Sequence, residues 1–164
     1  MCHFLRVKVF DAIIARKTLL EDVDWQGGKM PRTAFPLSRS HTYQLGKGWR
    51  WCVLTLTDDG RRFRLLVAYE KSKSQYRAWL GLESGTDQAL LARLEYHPSH
   101  RGWHCHVKKG DIADVGCGVV RHSSARERVR LCADTADFAV NDSDALAIAC
   151  RIFNVSADAG ELLQ

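Results

Sequence analysis

The sequence predicts an α+β domain: an antiparallel β-sheet of about five strands, formed by two successive hairpins, packed by a C-terminal helix and a short N-terminal helix. The clearest evidence is a pair of stretches, 49–57 and 62–70, that are rich in aromatic and β-branched residues and flank the turn sequence Asp58-Asp59-Gly60. A second pair of such stretches follows, and apolar residues recur at helical spacing near both ends of the chain. Strands joined by short turns pair antiparallel, so these patterns favour one sheet covered by helices.

The N-terminal third predicts a helix followed by a long loop. Residues 8–20 place four apolar side chains roughly on one helical face: Phe10, Ile13, Ile14 and Leu20. Leu5, Val7 and Val9 alternate as the residues of a strand do, so a strand is the competing interpretation. Residues 22–48 contain two prolines and four glycines and predict a loop. Long loops inside compact domains are often functional.

The middle of the chain predicts the remaining strands. In the second strand of the first hairpin, alternate residues are apolar and should face the core: Phe63, Leu65, Val67 and Tyr69. A polar turn at 71–75 leads to a third strand at 76–83, and a second hairpin is predicted from 88–97 and 103–109. Each strand is therefore expected to pair with the strand that precedes it in the sequence.

The C-terminal third predicts an edge strand and a helix. Residues 110–127 contain three glycines and predict irregular structure, and 128–133 predict a strand at the edge of the sheet. Ser143 is the expected N-cap of the helix, and Asp142 and Asp144 suit its positive end. The apolar residues of this helix recur at i, i+4 and i+7 and should lie against the sheet: Leu146, Cys150 and Phe153.

Length and charge narrow the class of protein. A chain of 164 residues fits a single domain, 1–164, with a net charge of +5 and a pI of about 9.0. Residues 131–164 hold one basic and six acidic side chains, which leaves 23 basic and 13 acidic residues, a net +10, in 1–130. A body this basic favours a nucleic-acid partner, the alternative being a solvated surface without one. The acidic C-terminal helix could instead contact a protein partner.

Several classes of protein are disfavoured. The apolar runs are too short to span a bilayer, and the N-terminus lacks the layout of a secretion signal, so we expect no membrane association and a cytoplasmic location. Six dispersed cysteines in such a compartment should be reduced. Cys117, His122 and Cys132 match no zinc-module spacing. The absence of phosphate-loop, dinucleotide-binding, serine-hydrolase and His-Glu-x-x-His motifs argues against kinases, dinucleotide-dependent oxidoreductases and serine hydrolases.

The strongest functional signal is a group of histidines in the second predicted hairpin. Four of the seven histidines lie within ten residues: His97, His100, His104 and His106. If His97 faces His104 across the hairpin, Glu95 faces His106 and Arg93 faces Lys108. That register puts the polar side chains on one face, and it leaves the other face to Leu94, Tyr96, Cys105 and Val107. The loop 98–103 would then lie above the polar face.

This group suits hydrolytic chemistry. His97, His104 and His106 could ligate a divalent transition metal such as zinc or manganese, which activates water. Without a metal, His104 and His106 could act as general base and acid, assisted by His97, His100 and Glu95. The phosphates of a substrate would be held by Arg101, Lys108, Lys109 and Arg121. The competing interpretation is that these histidines are solvated polar groups on an exposed strand.

The segment 94–106 also carries a resemblance. Its sequence is LEYHPSHRGWHCH, with a Tyr-His pair, a short loop, a Gly-Trp pair and a His-x-His. It resembles a segment of small uncharacterised bacterial proteins to which no activity is assigned. The resemblance implies a bacterial or phage origin and no particular mechanism.

The sequence thus predicts a small, basic, nuclease-like enzyme that acts on RNA or single-stranded DNA through the histidines, as a toxin or a defence factor. The alternative is a non-enzymatic module that binds protein or nucleic acid, for example a regulator or inhibitor of a nucleic-acid machine. The two hypotheses differ in whether substitution of the histidines abolishes a reaction or is tolerated.

Overall fold

The computed structural model of the chain describes residues 7–21, 23–37, 45–118, 124–128 and 140–156, with only the backbone described for 100–101 and 124–128. Within these ranges the strands form one nine-stranded sheet with two helices. The sheet is larger than the predicted sheet of about five strands, because short strands extend it beyond the two hairpins.

The elements follow one another along the chain in a simple order. They are α1 (Val9–Ile14), β1 (Lys17–Leu19), β2 (Gln26–Gly27), β3 (Arg50–Asp58), β4 (Arg61–Glu70), β5 (Gln75–Ser84), β6 (Asp87–His97), β7 (His100–Lys108), β8 (Ser124–Arg128), α2 (Asp142–Ile152) and β9 (Val155–Ser156). The strand order is β8-β7-β6-β5-β4-β3-β1-β9, and β2 pairs with β3 beside this path. The β1–β9 pair is parallel, and the other strand pairs are antiparallel.

The first predicted hairpin is confirmed. Asp58 pairs with Arg61, so the connection between β3 and β4 is the two-residue turn Asp59-Gly60. Both turn residues have positive φ, 33° and 83°, as a turn that matches the twist of a hairpin requires. Glycine adopts this conformation without strain and aspartate tolerates it, so the turn follows directly from the sequence.

The N-terminal helix is shorter than predicted and exposes a different face. It ends at Ile14, and the chain then pairs with both β3 and β9 as strand β1. Val9, Ala12 and Ile13 are buried, whereas Phe10 and Ile14 are about half exposed. Of the predicted apolar face, Ile13 is buried as expected, but Phe10, Ile14 and Leu20 are about half exposed. The helical spacing does not continue to Leu20, because the backbone of β1 pairs on both sides.

One face of the sheet packs against the helices and forms the larger core, here called the helix face. The sheet residues of the helix face include Cys52, Leu54, Leu56, Phe63, Leu65, Val67, Tyr76, Ala78, Leu80, Leu91, Leu94, Cys105 and Val107. The predicted alternation in the second strand of the first hairpin is thus confirmed. Helix α2 lies on this face, and the hydroxyl of Tyr76 donates a hydrogen bond of 2.8 Å to the backbone oxygen of Ala145.

Helix α2 begins two residues earlier than a cap at Ser143 would allow. Its N-cap is Asn141, whose side-chain oxygen accepts a hydrogen bond of 2.8 Å from the backbone nitrogen of Asp144. Ser143 lies inside the first turn, so the predicted cap was wrong, while the predicted acidic first turn is confirmed. Asparagine caps a helix as well as serine does, so residue type alone does not choose between the two positions.

Asp142 also links this helix to the sheet. Its carboxylate accepts hydrogen bonds from Arg50 Nε at 3.2 Å and from the Tyr69 hydroxyl at 2.7 Å. Burial raises the pKa of Asp142, but the hydrogen bonds from Arg50 and Tyr69 outweigh burial and leave the pKa below its usual value. The same environment, burial first and then the bond to Asp142, raises the pKa of Tyr69 to about 12.

A buried lysine joins the ends of the two helices. Lys17 is fully buried, and its ammonium group donates hydrogen bonds to the backbone oxygens of Ile13 at 2.8 Å, Ala15 at 2.8 Å and Phe153 at 3.1 Å. These carbonyls lie at the C-terminal ends of α1 and α2, where backbone oxygens lack helical partners. Burial lowers the pKa of Lys17 to about 8, partly offset by the nearby Asp58 carboxylate.

The opposite face of the sheet, here called the loop face, is covered in part by the loop before β3. Four apolar side chains of this loop are buried against the sheet: Met30, Phe35, Leu37 and Leu45. They pack against Trp51, Leu66 and Trp79 of the central strands. The region predicted as loop is irregular in its described parts apart from β2, and it forms a second small core.

The edge of the sheet differs from the prediction. Residues 124–128 form β8, which pairs with β7, although irregular structure was predicted up to residue 127. The predicted edge strand at 128–133 lies outside the described residues except for Arg128. Residues 124–128 form a strand because they pair with the longer strand β7. A segment of five residues is too short for its hydrophobic periodicity to reveal a strand.

Candidate functional site

The site is a group of four side chains on the loop face, here called the histidine cluster: Glu95, His97, His104 and His106. Strands β6 and β7 alternate here as the sequence predicts. Leu94, Cys105 and Val107 enter the helix-face core, and their sequence neighbours face the other way. The cluster therefore lies on the continuation of the surface that the loop covers over β3, β4 and β5.

The pairing register of this hairpin differs from the predicted one by two residues. His104 pairs with Glu95 and His106 pairs with Arg93, whereas His97 was expected opposite His104. A two-residue shift preserves which face each side chain occupies, so the predicted grouping survives although the predicted partners were wrong.

Turn geometry explains the shift. His97 pairs with His100, so the turn consists of Pro98 and Ser99 alone, and the predicted loop 98–103 is mostly strand. The register then changes between Glu95 and His97, where β7 holds two more residues than β6. Gly102 lies in this irregularity with φ +88°, a conformation that glycine adopts without strain.

Glu95 is the centre of the cluster. Its Oε2 lies 3.3 Å from Nε2 of His104 and 3.5 Å from Nε2 of His106, and its Oε1 lies 3.1 Å from Nε of Arg93. Glu95 and His104 are buried, with 9% and 4% of their surface exposed. A buried carboxylate is stable only with such compensating partners.

His97 completes the group from the end of β6. Its ring centroid is 5.1 Å from that of His104, in an edge-on arrangement, and its Nδ1 lies 2.8 Å from the Ser99 hydroxyl oxygen. One ligand atom each from Glu95, His97 and His104 can be chosen so that all three lie within 4.8 Å of one another. The expected ligand set was His97, His104 and His106, and the structure brings Glu95 into the place of His106.

Two arginines that the sequence analysis left without a role border the cluster. Arg93 lies over the ring of Trp79 at 5.4 Å, and Arg77, the cross-strand partner of Glu95, lies over Trp49 at 5.2 Å. Both tryptophans are buried. The alternation of Arg93, Glu95 and His97 along β6 was the available signal for Arg93, whereas only the pairing of β5 with β6 reveals Arg77.

The structure describes some of the predicted phosphate-binding residues and not others. Lys108 follows His106 by two positions on β7 and is half-buried, which lowers its pKa, and Lys109 is exposed beyond the strand. The side chains of Arg101 and His100 are not described, and Arg121 lies outside the described residues. The backbone register also pairs Arg128 with His104 and Arg126 with His106, which the sequence analysis did not anticipate.

The cysteines contribute nothing to the cluster within the described part of the chain. Cys105 is buried in the helix-face core, as alternation along β7 predicts, and Cys117 is exposed. No disulfide bond joins the described cysteines, which are Cys52, Cys105, Cys117 and Cys150. His122 and Cys132 lie outside the described residues.

Comparison with known proteins assigns no family to the chain. No family model, curated protein or solved structure matches the chain. Neither described helix has the length and apolar composition needed to cross a membrane.

Proposed function

We propose that the chain is a small nuclease-like enzyme that hydrolyses phosphodiester bonds of RNA or single-stranded DNA at the histidine cluster. The observation that carries the proposal is the buried Glu95 carboxylate with His104, His106 and Arg93 each within 3.5 Å. Imidazole, carboxylate and guanidinium are the groups that move protons and stabilise the charge of a phosphoryl transition state.

The reaction places distinct demands on these groups. A nucleophilic oxygen, from water or from the 2′-hydroxyl of RNA, forms a bond to phosphorus and loses a proton to an imidazole. The bond from phosphorus to the leaving oxygen breaks, and that oxygen takes up a proton from a second acid. Imidazole exchanges protons near neutral pH, so His104 and His106 suit these two steps. Arg93, which contacts Glu95, is the guanidinium group that we assign to the phosphoryl oxygens.

The distribution of charge supports a polyanionic substrate. Residues 1–130 carry a net +10, and Lys108 and Lys109 lie at the end of the strand that bears His104 and His106. A positive surface raises the local concentration of nucleic acid and speeds its association. A bacterial or phage toxin or defence factor is the biological role that fits a compact basic nuclease.

The test is cleavage of end-labelled RNA and single-stranded DNA by the wild-type chain and by His104→Gln. We expect the variant to lose cleavage by at least about a hundredfold, as removal of a proton-transfer group does. Circular dichroism and thermal melting show whether it remains folded, and Cys117→Ser, which changes an exposed thiol, is the matched control. Full cleavage by folded His104→Gln would refute the proposal.

The burial of Glu95 and His104 favours a second candidate, a non-enzymatic module that binds nucleic acid or protein. On this hypothesis the side chains of the histidine cluster stabilise the hairpin and take no part in a reaction. Arg61 is ion-paired with Asp58, and Arg62 and Arg64 share the carboxylate of Glu83, so most of the charge of these three arginines is balanced within the fold. Binding without cleavage that weakens with salt and with Lys109→Ala would favour this module.

A further inference from the structure

We propose that Glu95, His97 and His104 form a binding site for one divalent transition-metal ion, with zinc as the metal that the ligands fit best. This inference rests on the proposed function and deepens it, because it chooses metal-assisted hydrolysis over metal-free acid–base catalysis and replaces the ligand set expected from sequence.

The spacing of the three side chains is the first argument. Zinc binds imidazole nitrogen and carboxylate oxygen at about 2.0–2.2 Å, so two ligands of a tetrahedral site lie about 3.4 Å apart. Nε2 of His104 and Oε2 of Glu95 are 3.3 Å apart, which already matches. All three ligand atoms lie within 4.8 Å of one another, so the widest pair closes by about 1.4 Å, within the reach of a side-chain rotation.

The chemistry of the donors selects the metal. Two imidazoles and one carboxylate suit zinc and related transition metals, whereas magnesium and calcium prefer oxygen ligands alone. Cys105 faces the other side of the sheet, so no described thiolate joins the set. Three protein ligands leave the fourth position of a tetrahedral ion to water or to a phosphoryl oxygen, as in catalytic zinc sites.

Neighbouring side chains hold the ligands in orientation. Arg93 contacts Oε1 of Glu95 and lies on Trp79, which directs Oε2 toward His104. The Ser99 hydroxyl beside Nδ1 of His97 can accept its hydrogen, the tautomer in which Nε2 offers its lone pair to a metal. Such outer contacts to carboxylate and imidazole ligands are typical of metal centres.

His106 lies outside the ligand group and so provides an internal control. It is on the same strand and face as His104 and contacts the same oxygen of Glu95. Its side chain is 24% exposed, compared with 5% for His104. If the three-residue set is correct, removing His106 lowers metal affinity much less than removing His104, although the two histidines are only two positions apart.

The experiment is calorimetric titration of the chelator-treated full chain with Zn²⁺, with Mg²⁺ as the counter-probe. We expect one Zn²⁺ per chain, no measurable binding of Mg²⁺, and a melting temperature about 5–10 °C higher at a hundredfold excess of Zn²⁺ over Kd. Glu95→Gln, His97→Ala and His104→Ala should each weaken Zn²⁺ binding by more than about a hundredfold, and His106→Ala, which removes an outer contact to Glu95, by about tenfold. Absence of stoichiometric zinc binding by the folded wild-type chain would overturn the inference without any appeal to variants.

Substitution of Co²⁺ checks the coordination directly, since a four-coordinate cobalt site gives strong visible absorption bands that an adventitious six-coordinate ion does not. Intense bands lost in His97→Ala and kept in His106→Ala support the site. Weak bands, or bands lost equally in both variants, overturn the ligand set.

The two proposals fail in different ways. Cleavage of RNA that persists in excess chelator refutes the metal site and leaves the nuclease standing. Stoichiometric zinc without cleavage of RNA or single-stranded DNA supports the metal site and refutes the nuclease.

Discussion

Strands β6 and β7 contribute apolar side chains to the helix face and polar side chains to the histidine cluster. Leu94 and Glu95 are consecutive residues of β6, and both are buried, with 0% and 9% of their surface exposed. Leu94 is surrounded by apolar side chains, and Glu95 is surrounded by two imidazoles and a guanidinium. Burial alone therefore does not distinguish a residue that stabilises the fold from one that belongs to a site. The two kinds of residue differ instead in the charge of the buried group and in the nature of its partners.

The two kinds of buried residue also differ in what they contribute to stability. Burial of a leucine side chain stabilises a fold by about 1.5–3 kcal/mol. A buried ionic group recovers its desolvation cost only in part, and apolar residues of similar volume often serve stability as well or better. Under the proposed function the reaction requires Glu95 and His104, whereas under the second candidate the two residues only stabilise the hairpin.

The largest effect should come from separate substitutions of the two neighbouring residues Leu94 and Glu95 on β6. Leu94→Ala should lower the free energy of unfolding by about 2–5 kcal/mol, because it leaves a cavity in the core, and should leave the zinc affinity of the folded chain unchanged. Glu95→Gln preserves the shape of its side chain and should cost less stability while it removes zinc binding. Urea unfolding and calorimetry measure both quantities. If the two variants alter stability and affinity in the same proportion, the contrast between the faces is wrong.

A charged residue, Lys17, is buried beside the helix-face core, and it should make stability depend on pH. The pKa of Lys17 falls from 10.5 in the unfolded chain to about 8 in the folded one, so the unfolded state holds the proton more tightly. The cost of burying the charge is present in full below pH 8 and is relieved as the pH rises from about 8 to 10.5. Stability should therefore rise by up to about 3 kcal/mol in this window relative to Lys17→Met. Parallel curves of stability against pH for the two proteins would contradict this.

The loop face also buries the polar side chain of Gln88, which packs on Gly81. A Cβ atom at Gly81 would lie 2.2 Å from Oε1 and 3.2 Å from Cβ of Gln88. Gly81→Ala should therefore lower the free energy of unfolding by about 1–2 kcal/mol. Most of that cost should disappear when Gly81→Ala is introduced into Gln88→Ala, as a double-mutant cycle would show. Additive effects would mean that the clash is relieved elsewhere.

The smallest effect concerns the helix that covers the helix face. Asn141→Ala should destabilise the protein by about 1 kcal/mol, because the backbone nitrogen of Asp144 loses its acceptor. Ser143→Ala is the matched control, an exposed residue two positions later in the first turn, and should change stability by less than about 0.5 kcal/mol. Chemical denaturation measures both, and the reverse ranking would restore Ser143 as the cap.

Much of the local structure could be predicted because it depends on neighbours in sequence. The turn at Asp59-Gly60 and the apolar alternation of β4 are such features. So is the alternation on β6 and β7 that puts Glu95 with His104 and His106. The length of α1, which ends where β1 pairs on both edges, could not be predicted in this way. Neither could the pairing of Arg77 with Glu95, which are 18 positions apart in the printed sequence.

The sequence by itself determined which residues share a face, because side chains alternate along a strand whatever the strand pairs with. It therefore grouped the histidines with Glu95 and kept Cys105 away from them. Only the tertiary structure decided which of these residues meet. A turn of two residues at Pro98-Ser99 and an irregularity at Gly102 moved the register by two, which put Glu95 opposite His104. Turn conformation and strand pairing are chosen by the energy of the whole sheet, so the partners of the central carboxylate lie beyond what a local pattern can specify.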